Sequence, residues 1–264
     1  PVIVINYAAE TLVDRSIAGP RIFVESNIVG TQNLLDSVRE SKSIKKFVQI
    51  STDEVYGEIL TGRAREDHIC HPRNPYSATK AGADHLVISY VNTYNIPAVI
   101  TRSCNFYGPY QYPEKLIPLT ITNLIKDKMI PVHGDGQQVR RWLHVEDFCQ
   151  AVDLVMHKGK DHSIYNVSGE ETSDANIIKG VAKALGKDPE RNMHFIKDRP
   201  GGDRRYAPDA AKIKKELGWE PQYHIDKHIG DVVNWYLDNN SWWTKVKKKK
   251  DFQIYYDKQL RSEY

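Results

Sequence analysis

Residues 45–54 read KKFVQISTDE, a run of apolar and β-branched residues that ends in two adjacent carboxylic acids. The residues from Lys45 to Ser51 predict a buried strand of the kind found in parallel sheets. In open parallel sheets, ligands bind beyond the carboxyl ends of the strands. Asp53 and Glu54 are therefore predicted to lie at a binding edge, although a single acid at that place is often only a helix cap.

The segments around this strand predict its neighbours. Pro1–Ala8 and Pro97–Ser103 are rich in Val and Ile, so each is predicted to form a strand. Apolar residues recur at helical spacing in Val24–Ser41 and Pro75–Tyr94, which predicts two amphipathic helices. Strands and helices that alternate in this order indicate an α/β fold with a parallel sheet.

The composition of the chain changes beyond the third predicted strand, where Pro, Gly and Tyr become frequent. Shorter elements follow, including predicted helices over Leu116–Lys126 and Asn176–Leu185. We expect residues 1–109 to belong to the sheet domain, with residues 139–168 returning to it. Residues 110–264 are expected to form, for the most part, a smaller α/β region.

Charge and cysteine content exclude several classes of function. The 264 residues include 37 Lys and Arg against 34 Asp and Glu, a net charge of +3 that does not indicate a nucleic acid or an anionic membrane as partner. The three cysteines, Cys70, Cys104 and Cys149, lie far apart and form no metal-ligand pattern. No apolar stretch has the length of a membrane span, and no signal peptide is visible. We therefore expect a cytoplasmic protein with reduced thiols and no metal.

A second chemical signal lies in NPYSATKAG, residues 74–82. Tyr76 and Lys80 are four residues apart on a predicted helix, so their side chains share a face. A lysine ammonium near a phenol lowers the pKa of the phenol, which could then transfer a proton at neutral pH. Such pairs are more often simple surface neighbours on a helix. Here the pair comes one helix after the Thr-Asp-Glu turn, and this position favours a site.

Motifs that carry a family resemblance extend over most of the chain. They are NYAAETLVDRSI (6–17), GTQNLLDSVRES (30–41), TDEVYG (52–57), YSATK (76–80), RSCNFYGPYQYPEKLIP (102–118), PVHGDGQQVRRWLHVEDFCQA (131–151) and DRPGGDRRYAPDAAKI (198–213). The sequence resembles the extended short-chain dehydrogenase/reductases, and within them it is most similar to the dTDP-glucose 4,6-dehydratases. The resemblance implies a Rossmann-like, doubly wound parallel sheet that holds NAD and a C-terminal α/β region that holds a nucleoside-diphosphate sugar.

The resemblance also implies a reaction, the conversion of dTDP-glucose to dTDP-4-keto-6-deoxyglucose. Tyr76, supported by Lys80, would take the proton of the sugar 4-hydroxyl while hydride moves from C4 to NAD, and Thr52 would hydrogen-bond the same oxygen. Glu54 would remove the C5 proton, Asp53 would protonate the leaving 6-hydroxyl, and hydride would return to C6. Elimination of water needs an acid and a base on neighbouring atoms, so two adjacent carboxyl groups with unlike pKa values suit it.

Binding residues are implied position by position. Those matched to NAD contacts are Tyr7, Ala8, Ala9, Glu10, Thr11, Ser26, Tyr76 and Lys80. Those matched to contacts with the nucleotide sugar are Thr11, Thr52, Asn105, Lys115, Leu116, Pro131, Val132, His133, Arg140, Asn176, Asp198, Arg199, Pro200, Gly201 and Gly202. Arginine and lysine side chains suit a diphosphate. The resemblance further implies a homodimer that pairs through Val24–Ser41 and Pro75–Tyr94.

The sequence departs from the family pattern at its start. The glycine-rich loop that brings the backbone close to the pyrophosphate is absent, together with the acidic residue that holds the ribose. We expect that roughly 70 residues, two βα units, precede this sequence in the natural chain. Single contacts are also altered, because Phe106 replaces a usual asparagine and Gly202 a common histidine.

Three alternatives remain open at this point. The substrate could be UDP- or CDP-glucose, because the base is selected by details that the sequence does not reveal. A 4-epimerase or decarboxylase on the same scaffold is disfavoured by the adjacent acids Asp53 and Glu54. An inactive, truncated binding module is favoured only by the missing glycine loop.

Overall fold

The computed structural model describes residues 1–263, which divide into two compact units. The first, called here the sheet unit, contains residues 1–104, 147–168 and 200–220. The second unit contains residues 105–146, 169–199 and, within the described residues, 221–263.

The secondary structure alternates between strands and helices. The strands are β1 Ile3–Asn6, β2 Lys46–Thr52, β3 Ala98–Ser103, β4 Asn105–Tyr107, β5 Ile130–His133, β6 Val139–His144, β7 Ile164–Val167, β8 Glu170–Ser173 and β9 Met193–Ile196. The helices are α1 Val13–Ala18, α2 Pro20–Phe23, α3 Gly30–Glu40, α4 Pro75–Tyr94, α5 Leu116–Ile125, α6 Val145–Lys158, α7 Asp174–Ala184, α8 Ala211–Leu217, α9 Ile225–Asp238, α10 Asn240–Lys247 and α11 Lys250–Leu260. A wide helical segment, Val24–Val29, joins α2 to α3, and one turn of 3-10 helix, Asp53–Tyr56, follows β2.

The sheet unit is built on a parallel sheet with the strand order β1-β2-β3-β7. Phe47 of β2 pairs with Val4 of β1 and with Ala98 of β3, and Ile100 of β3 pairs with Ile164 of β7. The predicted parallel α/β fold is therefore confirmed. Since all four strands run in one direction, the residues that follow β1, β2 and β3 emerge at the same edge of the sheet.

Helices α3 and α4 bury their apolar faces together with this sheet. The residues of the shared core are Leu35, Val38, Phe47, Val87, Val91, Ile96, Ala98 and Ile100. Full burial of one such side chain contributes about 1.5–3 kcal/mol relative to exposure. This core fixes α4, which carries Tyr76 and Lys80, in the same unit as β2.

The second unit contains two small sheets and its own core. Strand β6 pairs in parallel with β4 and antiparallel with β8, and β5 pairs in parallel with β9. Helices α5, α7 and α9 share an apolar cluster that includes Ile121, Ile178 and Tyr236.

The unit boundaries differ from those expected from sequence. The segment that returns to the sheet unit begins at Asp147 and not at residue 139, because β6 pairs within the second unit. Pro200–Glu220, expected in the C-terminal region, packs within the sheet unit. Its backbone bonds to the segment after β2, where Ile59 N–H donates to Arg205 O at 3.0 Å and Ala64 N–H donates to Ala207 O at 2.8 Å.

Within the described chain, residues 1–263, the helices are too short or too polar to act as membrane spans.

Candidate active site

The two carboxylic acids of the opening motif lie in a tight turn at the end of β2. The Thr52 hydroxyl oxygen accepts the backbone N–H of Glu54 at 3.3 Å and so caps the 3-10 turn. Gly57 ends the turn with φ of +71°, and a Cβ atom there would stand 2.2 Å from the carbonyl oxygen of His71. Only glycine fits this position without a backbone shift. The turn therefore holds Asp53, which is buried, and Glu54, which is half-buried, next to each other.

The first turn of α4 lies beside this turn. The Asn74 side chain accepts the N–H of Ser77 at 2.9 Å, and Pro75 occupies the first helical position, so the helix begins at a defined residue. This start places Tyr76 in the first turn and Lys80 one turn later. The Tyr76 side chain is buried and shares a hydrogen bond with the Thr52 side chain.

The Tyr76 phenol lies in an environment that disfavours its ionised form. Burial raises its pKa, the negative charges of Glu54 and Asp53 raise it further, and the hydrogen bond with Thr52 opposes them. Lys80 is itself buried, its pKa is lowered mainly by that burial, and its Nζ donates to the Ile50 carbonyl oxygen at 2.6 Å. The predicted lowering of the Tyr76 pKa by Lys80 is therefore wrong for the chain by itself.

Glu54 has two hydroxyl partners. Ser77 Oγ lies 3.0 Å from Glu54 Oε2, and Tyr206 Oη lies 3.2 Å from the same oxygen. Tyr206 also donates to Asp203 Oδ2 at 2.7 Å. Sequence analysis gave no role to Tyr206 or Asp203, although both lie in the motif DRPGGDRRYAPDAAKI. Their relation to Glu54 arises from the packing of Pro200–Glu220 in the sheet unit.

The residues after β1 are held by an asparagine that sequence analysis missed. Asn27 accepts the backbone N–H of Glu10 at 2.8 Å and donates to the Glu10 carbonyl at 3.0 Å. It also donates to the Thr79 hydroxyl on α4 at 3.0 Å. The predicted regular helix over Val24–Ser41 is wrong over its first six residues, Val24–Val29, which form a wider helix that buries Asn27. Wide helical turns of this kind are frequent at functional sites.

The residues matched to NAD surround this junction. Ala8 N–H donates to Asn6 Oδ1 at 3.1 Å, Tyr7 is exposed over half its surface and packs edge-on against Phe148, and Ser26 is half-buried beside Asn27. Ala9 and Glu10, both half-buried, and the exposed Thr11 continue this segment before α1. All of them belong to the sheet unit.

The residues matched to the nucleotide sugar are divided between the units. Asn105 begins β4, Lys115 precedes α5, Leu116 begins it, and Pro131–His133 lie in β5, all in the second unit. Pro200, Gly201 and Gly202 belong to the sheet unit, where a Cβ on Gly201 would stand 2.3 Å from the Arg73 carbonyl oxygen.

A charged cluster forms in the second unit. Asp198 accepts a hydrogen bond from Gln138 Nε2 at 3.0 Å, and Arg140 is buried on β6. Burial raises the pKa of Asp174, an acid that sequence analysis missed; Arg140 and Arg199 lower it, and Asp198 raises it. The structure thus brings Arg140, Asp198 and Arg199 around Asp174. Asn176 lies two residues further on α7, with its side chain bonded to Thr172 at 3.3 Å.

The donor set at the strand ends fits the nicotinamide half of NAD. The Ser51 hydroxyl is buried at the end of β2 and has no hydrogen-bond partner among residues 1–263. Lys80 donates its one described side-chain hydrogen bond to a backbone carbonyl, so two of its three protons remain for a ligand. A buried hydroxyl and an ammonium with spare donors suit the hydroxyl groups of a ribose.

A parallel sheet whose strand ends gather a threonine, two acids and a Tyr-x-x-x-Lys helix defines the extended short-chain dehydrogenase/reductase class. A sequence model of the GDP-mannose 4,6-dehydratase family matches residues 1–232. The chain belongs to this family.

Three relatives show how far the similarity extends. A dTDP-glucose 4,6-dehydratase from Xanthomonas campestris pv. campestris is 44% identical over 260 residues, which cover 92% of this chain and 74% of that protein. The low-salt glycan biosynthesis protein Agl12 of Haloferax volcanii is 48% identical over 239 residues, covering 90% and 76%. The crystal structure of DesIV, a dTDP-glucose 4,6-dehydratase from Streptomyces venezuelae with NAD and TYD bound, superposes with a TM-score of 0.90 at 41% identity, covering 93% and 76%.

Proposed function

We propose that this protein is an NAD-dependent dTDP-glucose 4,6-dehydratase, a hydro-lyase that forms dTDP-4-keto-6-deoxyglucose. The observation that carries the proposal is the convergence of Thr52, Asp53, Glu54 and Tyr76 at one edge of the sheet. Tyr76 is hydrogen-bonded to Thr52, and the charges of both acids raise its pKa. The similarity to enzymes named for this reaction supports it.

The first chemical task falls to Tyr76, which takes the proton of the sugar 4-hydroxyl. Thr52, bonded to the same phenol, hydrogen-bonds the sugar oxygen and keeps it in line with Tyr76. Because burial and the two acids raise the pKa of Tyr76, the phenolate needs a positive charge nearby before it can act as a base. The Lys80 ammonium, one turn away on α4, has spare donors for the ribose of NAD. The bound cofactor would then supply the positive charge near Tyr76.

The second task is the elimination of water. A ketone at C4 acidifies the C5 proton, which Glu54 removes as general base. Asp53, buried beside it, donates a proton to the leaving 6-hydroxyl. The acid and the base are neighbours in the chain because the groups they serve, at C5 and C6, are neighbours in the sugar.

The cofactor fits the residues after β1 and at the start of α4. When bound, NAD supplies the site where the C4 hydride is held until it returns to C6. The residues proposed to hold it are Tyr7, Ala8, Ala9, Glu10, Thr11, Ser26, Tyr76 and Lys80.

Contacts with the nucleoside diphosphate are proposed for residues of the second unit, and the contacts proposed for Pro200, Gly201 and Gly202 belong to the sheet unit. Arg140 and Arg199 provide guanidinium groups, which match phosphate oxygens in pairs. Further contacts are proposed for Asn105, Lys115, Leu116, Pro131, Val132, His133, Asn176 and Asp198, with Thr11 and Thr52 on the sugar.

Incubation with NAD and dTDP-, UDP- or CDP-glucose tests the proposal. We expect dTDP-glucose to lose one water, seen by mass spectrometry, and to gain a 4-keto group, with the other two nucleotides consumed more slowly. Faster consumption of UDP- or CDP-glucose would show that the substrate carries that nucleotide and not dTDP. Isomerisation without a change in mass would indicate a 4-epimerase and contradict the dehydratase.

We further propose a cytoplasmic homodimer that pairs through the helical segment 24–41 and α4. Val24 and Val29 of this segment expose 43% and 44% of their surface, and Ile22, just before it in α2, exposes 54%. Contiguous exposed apolar surface of this kind is typical of an interaction site. Light scattering on the purified protein should give twice the mass of one chain, and a mass of one chain would exclude the dimer.

A further inference from the structure

Glu54 is connected through one hydroxyl to a second buried carboxyl group. Tyr206 Oη lies 3.2 Å from Glu54 Oε2 and 2.7 Å from Asp203 Oδ2. A phenol carries a single proton, so Tyr206 can donate to only one of the two carboxylates at a time. Its oxygen can accept a hydrogen bond from the other carboxyl group once that group is protonated.

An arginine beside Asp203 favours the ionised form of this acid, which can receive a proton. The Asp203 side chain is fully buried, and Arg73 Nη1 lies 3.2 Å from Asp203 Oδ1. Arg73 in turn contacts Glu58 at 3.0 Å and exposes 38% of its side chain to solvent. Asp203 is therefore separated from water by the partly exposed Arg73, and Tyr206 connects it to the half-buried Glu54.

The other hydroxyl partner of Glu54, Ser77, does not connect it to a second group that could take up a proton. Ser77 Oγ lies 3.0 Å from Glu54 Oε2 and 3.0 Å from the side-chain oxygen of Asn74. That amide oxygen already accepts the N–H of Ser77 and is not basic enough to take up a proton. Of the two hydroxyl groups bonded to Glu54, only Tyr206 connects it to another carboxylate.

We propose that Tyr206 and Asp203 form a proton relay for the base Glu54, an inference that rests on the proposed dehydratase function. After Glu54 has removed the C5 proton, its carboxyl O–H donates to Tyr206 Oη. The Glu54 O–H bond then breaks as a bond to Tyr206 Oη forms, and the phenolic O–H breaks as a bond to Asp203 Oδ2 forms. Glu54 becomes a carboxylate, Asp203 becomes neutral, and the phenol is restored. The reverse transfer brings a different proton, exchanged with water at Asp203, back to C5.

Turnover in heavy water tests the relay, because the C5 hydrogen of the product then reports its source. We expect the NAD-loaded wild-type enzyme to place deuterium at C5 of most product molecules, as measured by NMR. Tyr206→Phe breaks the relay, so the proton that Glu54 took should return to C5 and the deuterium content should fall several-fold. Asp203→Asn keeps the shape of the acceptor but cannot hold the proton, and the same fall is expected.

Tyr165→Phe is the matched control, since it removes a buried tyrosine hydroxyl that contacts Glu216 elsewhere in the sheet unit, at 3.0 Å. Its product should carry the wild-type deuterium content. If a variant yields no product, exchange is read on added 4-keto product, whose acidic C5 hydrogen Glu54 can still remove. Wild-type deuterium content in both Tyr206→Phe and Asp203→Asn, or protium at C5 in the wild type, would overturn the relay. A wild type that forms no dehydrated product would instead refute the proposed function.

Discussion

Glu54→Gln is expected to abolish the loss of water while C4 oxidation continues. Glutamine has the shape of glutamate and can still accept hydrogen bonds from Ser77 and Tyr206, but it cannot take up the C5 proton. Loss of a general base lowers the rate by about 10²–10⁴-fold. Oxidised sugar should then accumulate on the enzyme, visible as the near-ultraviolet absorbance of reduced nicotinamide after a single turnover, with no dehydrated sugar by mass spectrometry.

Glu58→Gln is the control for this substitution. Glu58 lies four residues further on, where it contacts Arg73 and the backbone N–H of Arg204. Its replacement should leave both oxidation and dehydration close to the wild-type rates. Dehydration at the wild-type rate in Glu54→Gln would remove Glu54 from the proposed mechanism, whatever the rate in the control.

Tyr76→Phe is expected to suppress both oxidation and dehydration, again by about 10²–10⁴-fold. Without the phenol, no group takes the proton from the 4-hydroxyl, so C4 is not oxidised and the C5 proton never becomes acidic. The reduced nicotinamide signal should therefore be absent as well, which distinguishes this variant from Glu54→Gln. Rapid-mixing absorbance and product analysis read the two steps separately.

Tyr90→Phe on the same helix is the matched control, because its hydroxyl donates to Asp36 at 2.9 Å near the surface. We expect normal turnover from it. Undiminished hydride transfer in Tyr76→Phe would show that another group deprotonates the substrate, and Lys80 would be the next residue to replace.

Local sequence was sufficient for most of the sheet unit. The β-branched run after Lys45 and the helical spacing from Pro75 to Tyr94 predict elements within two residues of the observed ones. The wide helical segment Val24–Val29 could not be predicted, because the helical spacing of apolar residues continues through it. It follows from side-chain bonds to Glu10 and Thr79, the latter 52 residues away.

The sequence by itself determined the parallel sheet, the Thr-Asp-Glu turn and the one-turn spacing of Tyr76 and Lys80, because each depends on residues close together in the chain. Only the tertiary structure decided that Tyr206, 152 residues from Glu54, contacts that acid and also donates a hydrogen bond to Asp203. It also decided the direction of the Tyr76 pKa, since burial and the charges around the phenol depend on residues that the chain brings together only when it folds.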